Sequence, residues 1–260
     1  MTIERVRTWL PGSMSALVVG MMLANTHVLR AERITVLSSN GFKAVLRELA
    51  PQFEKASGHE VVISYSVSAE LKKRIESGEP FDLVIVTPAQ IDDLIKSGRV
   101  VADSRAPLAR AGMALAIRKG AAKPDLRTVD ALKAALIASR SIAFAKEGAG
   151  GVFFTALVGR LGLVEQLTPK FRPTVTGDEV SQAVAKGDAE LGVLPVSEIL
   201  PVPGVEVAGR FPAAVQDYAV MVGGVSAAAA HPASARALIQ FLISPTALPA
   251  IEKAGMELVK

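Results

Sequence analysis

The chain has 260 residues, half of them hydrophobic and 21% charged, a balance that supports one large domain or two modest lobes with a real core. Its net charge of +4 is scattered and only 5% of residues are aromatic, which excludes a basic nucleic-acid arm and a base-stacking platform. With no cysteine, disulfides, thiol nucleophiles and thiolate metal sites are excluded as well.

Arg5 and Arg7 precede an apolar run at 14–24. A positive flank followed by a short apolar stretch is the pattern of a signal peptide, and about 11 residues are too few to span a bilayer. Residues 1–30 therefore read as a signal peptide, or as an N-terminal anchor if uncleaved, and the mature protein as periplasmic. Beyond them, strands and helices alternate. Residues 34–37 form a buried strand, and Phe42, Val45, Leu46, Leu49 and Phe53 follow at helical spacing up to Gly58. Residues 61–65 are the next strand, with a helix carrying Leu71 and Ile75 closed by Gly78. Residues 82–86 are a third, with Ile91, Leu94 and Ile95 on a helix ending at Gly98. Such repetition implies parallel strands with right-handed crossovers.

After Pro107 the texture changes. Residues 113–117 read as a strand with no immediate helix, 119–127 as a loop and 129–138 as a helix. Residues 141–145 lead into the turn Gly148-Ala149-Gly150-Gly151 and a helix carrying Phe153, Phe154, Leu157 and Leu161. A helix starts near Asp178, strands follow at 191–195 and 219–223, and two helices end the chain. The expected fold is α/β and two-lobed, with the second lobe (111–222) inserted in the first (31–110 and 223–260). A crossover near 110 and 222 would form the hinge. Ligands in open α/β sheets sit beyond the carboxyl ends of the strands, so the cleft between the lobes is the expected site.

Four loops share one chemistry. Ser38-Ser39-Asn40-Gly41, Ser66-Val67-Ser68-Ala69 and Glu147-Gly148-Ala149-Gly150-Gly151 each follow a strand and open a helix, and Thr176-Gly177-Asp178-Glu179-Val180 precedes the helix carrying Val184. A helix N-terminus leaves amide N–H groups unpaired and carries partial positive charge. Small residues let an anion approach those amides, and Ser hydroxyls add donors. Any one loop reads more readily as plain capping, and Thr176 with Glu179 has capping-box spacing. The case for an anion site rests on the set.

Catalytic motifs are absent. Gly148-x-Gly150 lacks the third glycine of a dinucleotide loop, Phe153 standing in its place. No Walker or G-x-S-x-G sequence occurs, and of the three histidines His27 lies in the leader while His59 and His231 read as caps. No acidic cluster or metal-spaced His pair is present, and Asp82 reads as a local hydrogen-bonding group. The expectation is a protein with no metal, no cofactor and no enzymatic activity.

Several segments resemble the molybdate-binding proteins. Ile34-Thr35-Val36-Leu37-Ser38-Ser39 with Phe53-Glu54-Lys55-Ala56-Ser57-Gly58 is similar to their mature start, and Ile75-x-x-Gly78-x-Pro80-x-Asp82-Leu83 to a specific internal element. Leu191-Gly192-Val193-Leu194-Pro195 and the tail Phe241-Leu242-Ile243-Ser244-Pro245 continue the likeness, which covers nearly all of the chain after residue 31. The resemblance implies a type II periplasmic binding fold, an ABC transporter permease as partner, and a tetrahedral anion held by two serines, two backbone amides and one tyrosine. Position by position, the first serine falls on Gly41, with Ser39 the nearby substitute, and the second on Ser68 or Ala69. The amides fall near Gly150, with Gly151 beside it, and near Val180. The tyrosine falls on Pro195. Two donors are thus replaced, so the resemblance implies an architecture for a small anion: a molybdate- or tungstate-like oxyanion or a small carboxylate. The reading is a monomeric solute-binding protein of an ABC uptake system, with no nucleic acid among its partners. The alternatives are a ligand sensor or an enzyme on the same fold, without a transport role.

Overall fold

In a computed structural model, the structure describes residues 31–259; the expected leader at 1–30 lies outside them. The first half alternates as expected: β1 (Arg33–Ser39), α1 (Lys43–Ser57), β2 (Glu60–Ser66), α2 (Ser68–Glu76), β3 (Leu83–Val86) and α3 (Pro88–Lys96). Gly58, with φ of 74°, ends α1 in the left-handed conformation that glycine adopts without strain. A long strand, β4 (Ala106–Arg118), then leads to α4 (Val129–Ala138), β5 (Ile142–Ala145), α5 (Ala149–Arg160), α6 (Val164–Leu167), β6 (Phe171–Thr174), α7 (Gly177–Lys186), β7 (Leu191–Pro195) and α8 (Val196–Ile199). The chain returns through β8 (Val205–Arg210), β9 (Tyr218–Val225), α9 (Pro232–Leu242), α10 (Leu248–Lys253) and β10 (Met256–Leu258).

The strands lie in the order β2-β1-β3-β9-β4-β7-β5-β6, with β8 and β10 also pairing β4. β1 is parallel to β2 and β3, and β5 is parallel to β6 and β7. β9 pairs antiparallel with β3 and with the Ala106–Gly112 part of β4, while Met113–Arg118 pairs with β7 and β8. One strand therefore serves both lobes, and the α/β fold with its inserted second lobe is as expected. Among the described residues no helix is long and apolar enough to cross a membrane.

Two differences have local causes. β4 begins at Ala106, well before the expected 113, because the ladder shifts register between Pro107 and Ala109. A bulge there lets a residue without an N–H stay in the strand. The short elements β6, β8, β10, α6 and α8 escape the periodicity. β6 is partly exposed throughout and contains Pro173, as an edge strand can.

The glycine turn before α5 is a packing device. A Cβ on Gly150 would lie 2.6 Å from the Val193 carbonyl oxygen, and one on Gly151 would collide with that of Ala145. Only glycine lets α5 start directly over β5 and β7. Phe144, Phe154 and Phe171 lock it there, with ring centroids 5.1–5.6 Å apart.

Candidate functional site

The carboxyl ends of β1, β2, β5 and β7 converge on a small inner cavity. Its walls are Ser39 and Asn40 after β1, Val67 and Ser68 after β2, Gly148 to Gly150 after β5, Gly177 at the start of α7, and Pro195 and Glu198 after β7. Its volume is about 20 Å³, room for a group of only a few atoms. A wider cleft of about 480 Å³ adjoins it, sharing Ser68 and Ala149, and reaches Thr87, Gln90, Arg160 and Tyr218.

The helix starts around the inner cavity differ in their capping. α2 and α5 have no side-chain cap. Their first i→i−4 bonds are those of Leu71 to Val67 and Val152 to Gly148, so the three amides before each have no partner within the helix. In α7, by contrast, Thr176 accepts from the Glu179 N–H at 3.3 Å and Glu179 accepts from the Val175 N–H at 2.9 Å. That is the reciprocal capping its spacing predicts, with the return bond taken from the residue before the N-cap. Ser68 Oγ accepts from the Thr87 N–H at 3.3 Å and Ser39 Oγ from the Gly41 N–H at 3.4 Å. Each hydroxyl thus remains able to donate to a ligand.

Of the residues singled out from the sequence, Ser39, Asn40, Ser68, Gly150 and Pro195 come together on the cavity wall. Ser38 is fully buried and donates to the Ser39 carbonyl oxygen. Gly41 lies beneath Met221 and Glu198. Ala69 is the second residue of α2, and Gly151 is pressed against β5. Val180 belongs to the core, and its N–H is taken by the Thr176 carbonyl. Asp82 accepts from the Thr35 and His231 N–H groups, the local role expected of it.

The residue that sequence reasoning missed is Glu198. It sits in the one-turn helix α8, beyond the end of β7, between Gly41 and Gly177. A Cβ on Gly177 would clash with Glu198 Oε2 and lie 3.0 Å from its Cδ, and one on Gly41 would lie 3.5 Å from Oε1. Among the described residues none donates a hydrogen bond to this carboxyl, and the residue is partly buried. Burial pushes the carboxyl up to about 7, helped by the nearby charge of Asp178 and opposed by that of Lys43. A signal was available: Glu198 lies three residues past the buried run 191–195, on the side of the sheet where ligands are sought.

Contacts join the two sides of the cleft around this point. Lys43 pairs with Asp178 at 2.6 Å and Lys73 with Glu147 at 3.1 Å. Inside them, Ser197 Oγ donates to the Gly41 carbonyl oxygen at 2.9 Å. The cleft is closed over its inner cavity.

The model of a family described as bacterial extracellular solute-binding protein matches residues 34–257. A Pseudomonas protein named aconitate isomerase is 35% identical over 245 residues, covering 91% of this chain and 93% of that protein. Molybdate-binding protein ModA of Azotobacter vinelandii is 29% identical over 174 residues, covering 65% and 67%. The solved periplasmic molybdate-binding protein of the same organism superposes with a TM-score of 0.76 at 25% identity, over 87% of this chain and all of that one. The likeness to molybdate-binding proteins stands. The expectation that the chain is no enzyme is contradicted, because the 35% identical relative carries an enzyme's name. The sequence holds no cluster of nucleophiles, acids and bases, and an acid or base acting alone leaves none.

Proposed function

The chain belongs to the bacterial extracellular solute-binding protein family, and from that premise we propose that its cleft binds a small polycarboxylate of the aconitate class and isomerises it. The observation that carries this reading is the identity to aconitate isomerase, which runs along nearly the whole of both chains. The site agrees with it. The uncapped starts of α2 and α5 and the hydroxyls of Ser39 and Ser68 suit an anionic oxygen group. Gly41 and Pro195 offer no hydroxyl where the molybdate resemblance calls for one. A carboxylate entering the inner cavity together with the carbon that bears it, beside Glu198, would leave the rest of a tricarboxylate in the wider cleft, beside Arg160 and Tyr218. In this reading residues 1–30 direct the protein to the periplasm, and 31–110 with 223–260 and 111–222 are the two lobes that close on the ligand.

A second reading is delivery of a small anion to an ABC permease, favoured by the family match and by the molybdate-binding relatives. One experiment addresses both. Purified protein is incubated with cis-aconitate and separately with trans-aconitate, and the products are followed by proton NMR. A thermal-shift panel covers molybdate, tungstate, sulfate, phosphate and tricarboxylates. Interconversion of the aconitates, with stabilisation by tricarboxylates, is the expected result. No conversion in either direction refutes the isomerase reading. Stabilisation by inorganic oxyanions alone then favours uptake.

A further inference from the structure

We propose that Glu198 is the catalytic residue of this cleft, a single acid–base group that carries a proton from one carbon of the bound tricarboxylate to another. The proposal rests on the isomerase reading and deepens it by naming the group that does the chemistry.

Aconitate has a methylene carbon and a vinyl carbon on either side of one central carbon, each bearing a carboxylate. Moving a proton from the methylene to the vinyl carbon exchanges their roles. The methylene C–H bond breaks and its electron pair becomes the new double bond to the central carbon. The old double-bond pair moves to the former vinyl carbon, where a C–H bond forms. The new double bond can take the opposite geometry, which interconverts cis and trans. Protons and electrons balance within the substrate, with no oxidant, reductant or water consumed. The protein must supply a base that becomes the acid, and positive potential for the charge that builds on a carboxylate in between.

Among the described residues lining the inner cavity, Glu198 has the one side chain that ionises. The other walls are serine, asparagine, glycine and apolar residues, which can bind an anion but cannot take up a proton near neutrality. Glu198 also has the freedom to act. No protein donor occupies its carboxyl, and the missing side chains at Gly41 and Gly177 leave it room. Two charged groups face it from the packed elements: Lys43 at the start of α1, and Asp178 in the first turn of α7, which pair with each other. That pairing keeps Lys43 from settling on Glu198 as a fixed counter-ion. Burial raises the carboxyl to about 7, so near neutrality both its protonated and ionised forms are populated, as one group serving as base and then acid requires. The amides of α2 and α5 would hold the substrate carboxylate that accumulates charge.

The test compares wild type, Glu198→Gln and Glu198→Asp. It reads aconitate isomerisation, deuterium uptake from D2O into the substrate carbons, and calorimetric binding of the saturated analogue tricarballylate. Glu198→Gln is expected to lose isomerisation and deuterium uptake by at least about 100-fold while binding tricarballylate within about threefold of wild type. Glu198→Asp keeps the acid, one methylene shorter, and retains measurable turnover even if the Gln variant fails to fold. The wild-type rate rises through pH 7 as the base ionises, and any residual Glu198→Gln rate lacks that rise. Isomerisation surviving in Glu198→Gln overturns the proposal and leaves the isomerase reading intact. Wild-type protein that isomerises neither aconitate overturns both.

Discussion

Gly177 can be tested by adding a single carbon. It is the first residue of α7, where alanine is the better helix former, by up to about 1 kcal/mol in a helix interior and by less in a first turn. Its Cβ position is occupied by the Glu198 carboxyl, which lies 3.0 Å away at Cδ with an oxygen closer still, while Leu194 Cδ2 lies 3.2 Å off. Gly177→Ala must therefore push the carboxyl out of its slot. A side chain driven off its rotamer costs about 0.5–1.5 kcal/mol, roughly cancelling the helix gain. The thermal midpoint is expected to stay within a few degrees of wild type, since about 1 kcal/mol shifts a chain of this size by about 2–4 °C. In a Glu198→Ala background the collision is gone and only Leu194 must give slightly. There the same substitution should raise the midpoint by up to about 2–4 °C. The difference between the two backgrounds is a coupling of about 0.5–1.5 kcal/mol, readable by calorimetry or urea unfolding as a double-mutant cycle. Isomerisation should fall at least tenfold in Gly177→Ala because its acid is displaced. Equal effects in both backgrounds, with turnover intact, would refute the packing of Glu198 on this glycine.

Two further outcomes follow from the same pocket. Combined Ser39→Ala and Ser68→Ala should weaken anion binding more than tenfold with the fold unchanged, each lost bond to a charged ligand costing about 1.5–3 kcal/mol; unchanged affinity in calorimetry would remove both serines from the site. The raised Glu198 carboxyl binds its proton more tightly in the folded chain than in the unfolded one, where it titrates near 4.5. Its contribution to stability is complete below about 4.5 and lost as pH rises to about 7, at most on the order of 3 kcal/mol and less by whatever water screens this partly buried group. Urea midpoints at pH 5 and pH 8 should therefore fall further in wild type than in Glu198→Gln, and parallel profiles would contradict the shift.

The alternation of β1 to α3 was legible because each strand is a short apolar run and each helix carries apolar residues three and four apart. The loops around the inner cavity were legible for a related reason: Ser39, Ser68 and Gly150 stand at strand-to-helix turns, and local spacing marks such turns. β4 was only half legible, because Pro107 reads as a stop and the bulge that admits it is set by pairing with β9. Glu198 was hidden for a different cause. Its helix has four residues, too few for any periodicity. Its environment is made by glycines 157 and 21 positions earlier in the chain. Val180 erred the other way: a position on the right loop placed its amide inside the helix ladder, where it is already used. The proposed catalytic carboxyl left little trace, since one carboxyl among 25 acidic residues is distinguished only by what surrounds it.

The place of β9 in the sheet has a consequence for how the chain is made. β3 pairs with β1 on one side and with β9 on the other, and β9 is encoded about 130 residues later. At the usual speed of synthesis, about 5–20 residues per second, β3 waits roughly 7–26 seconds for its neighbour. Wherever β1 to β3 pair before β9 is available, the sheet presents an open edge of Leu83, Val84, Ile85 and Val86, which could pair with another chain. Wherever the chain folds, that apolar edge needs shielding until residue 225 is in place.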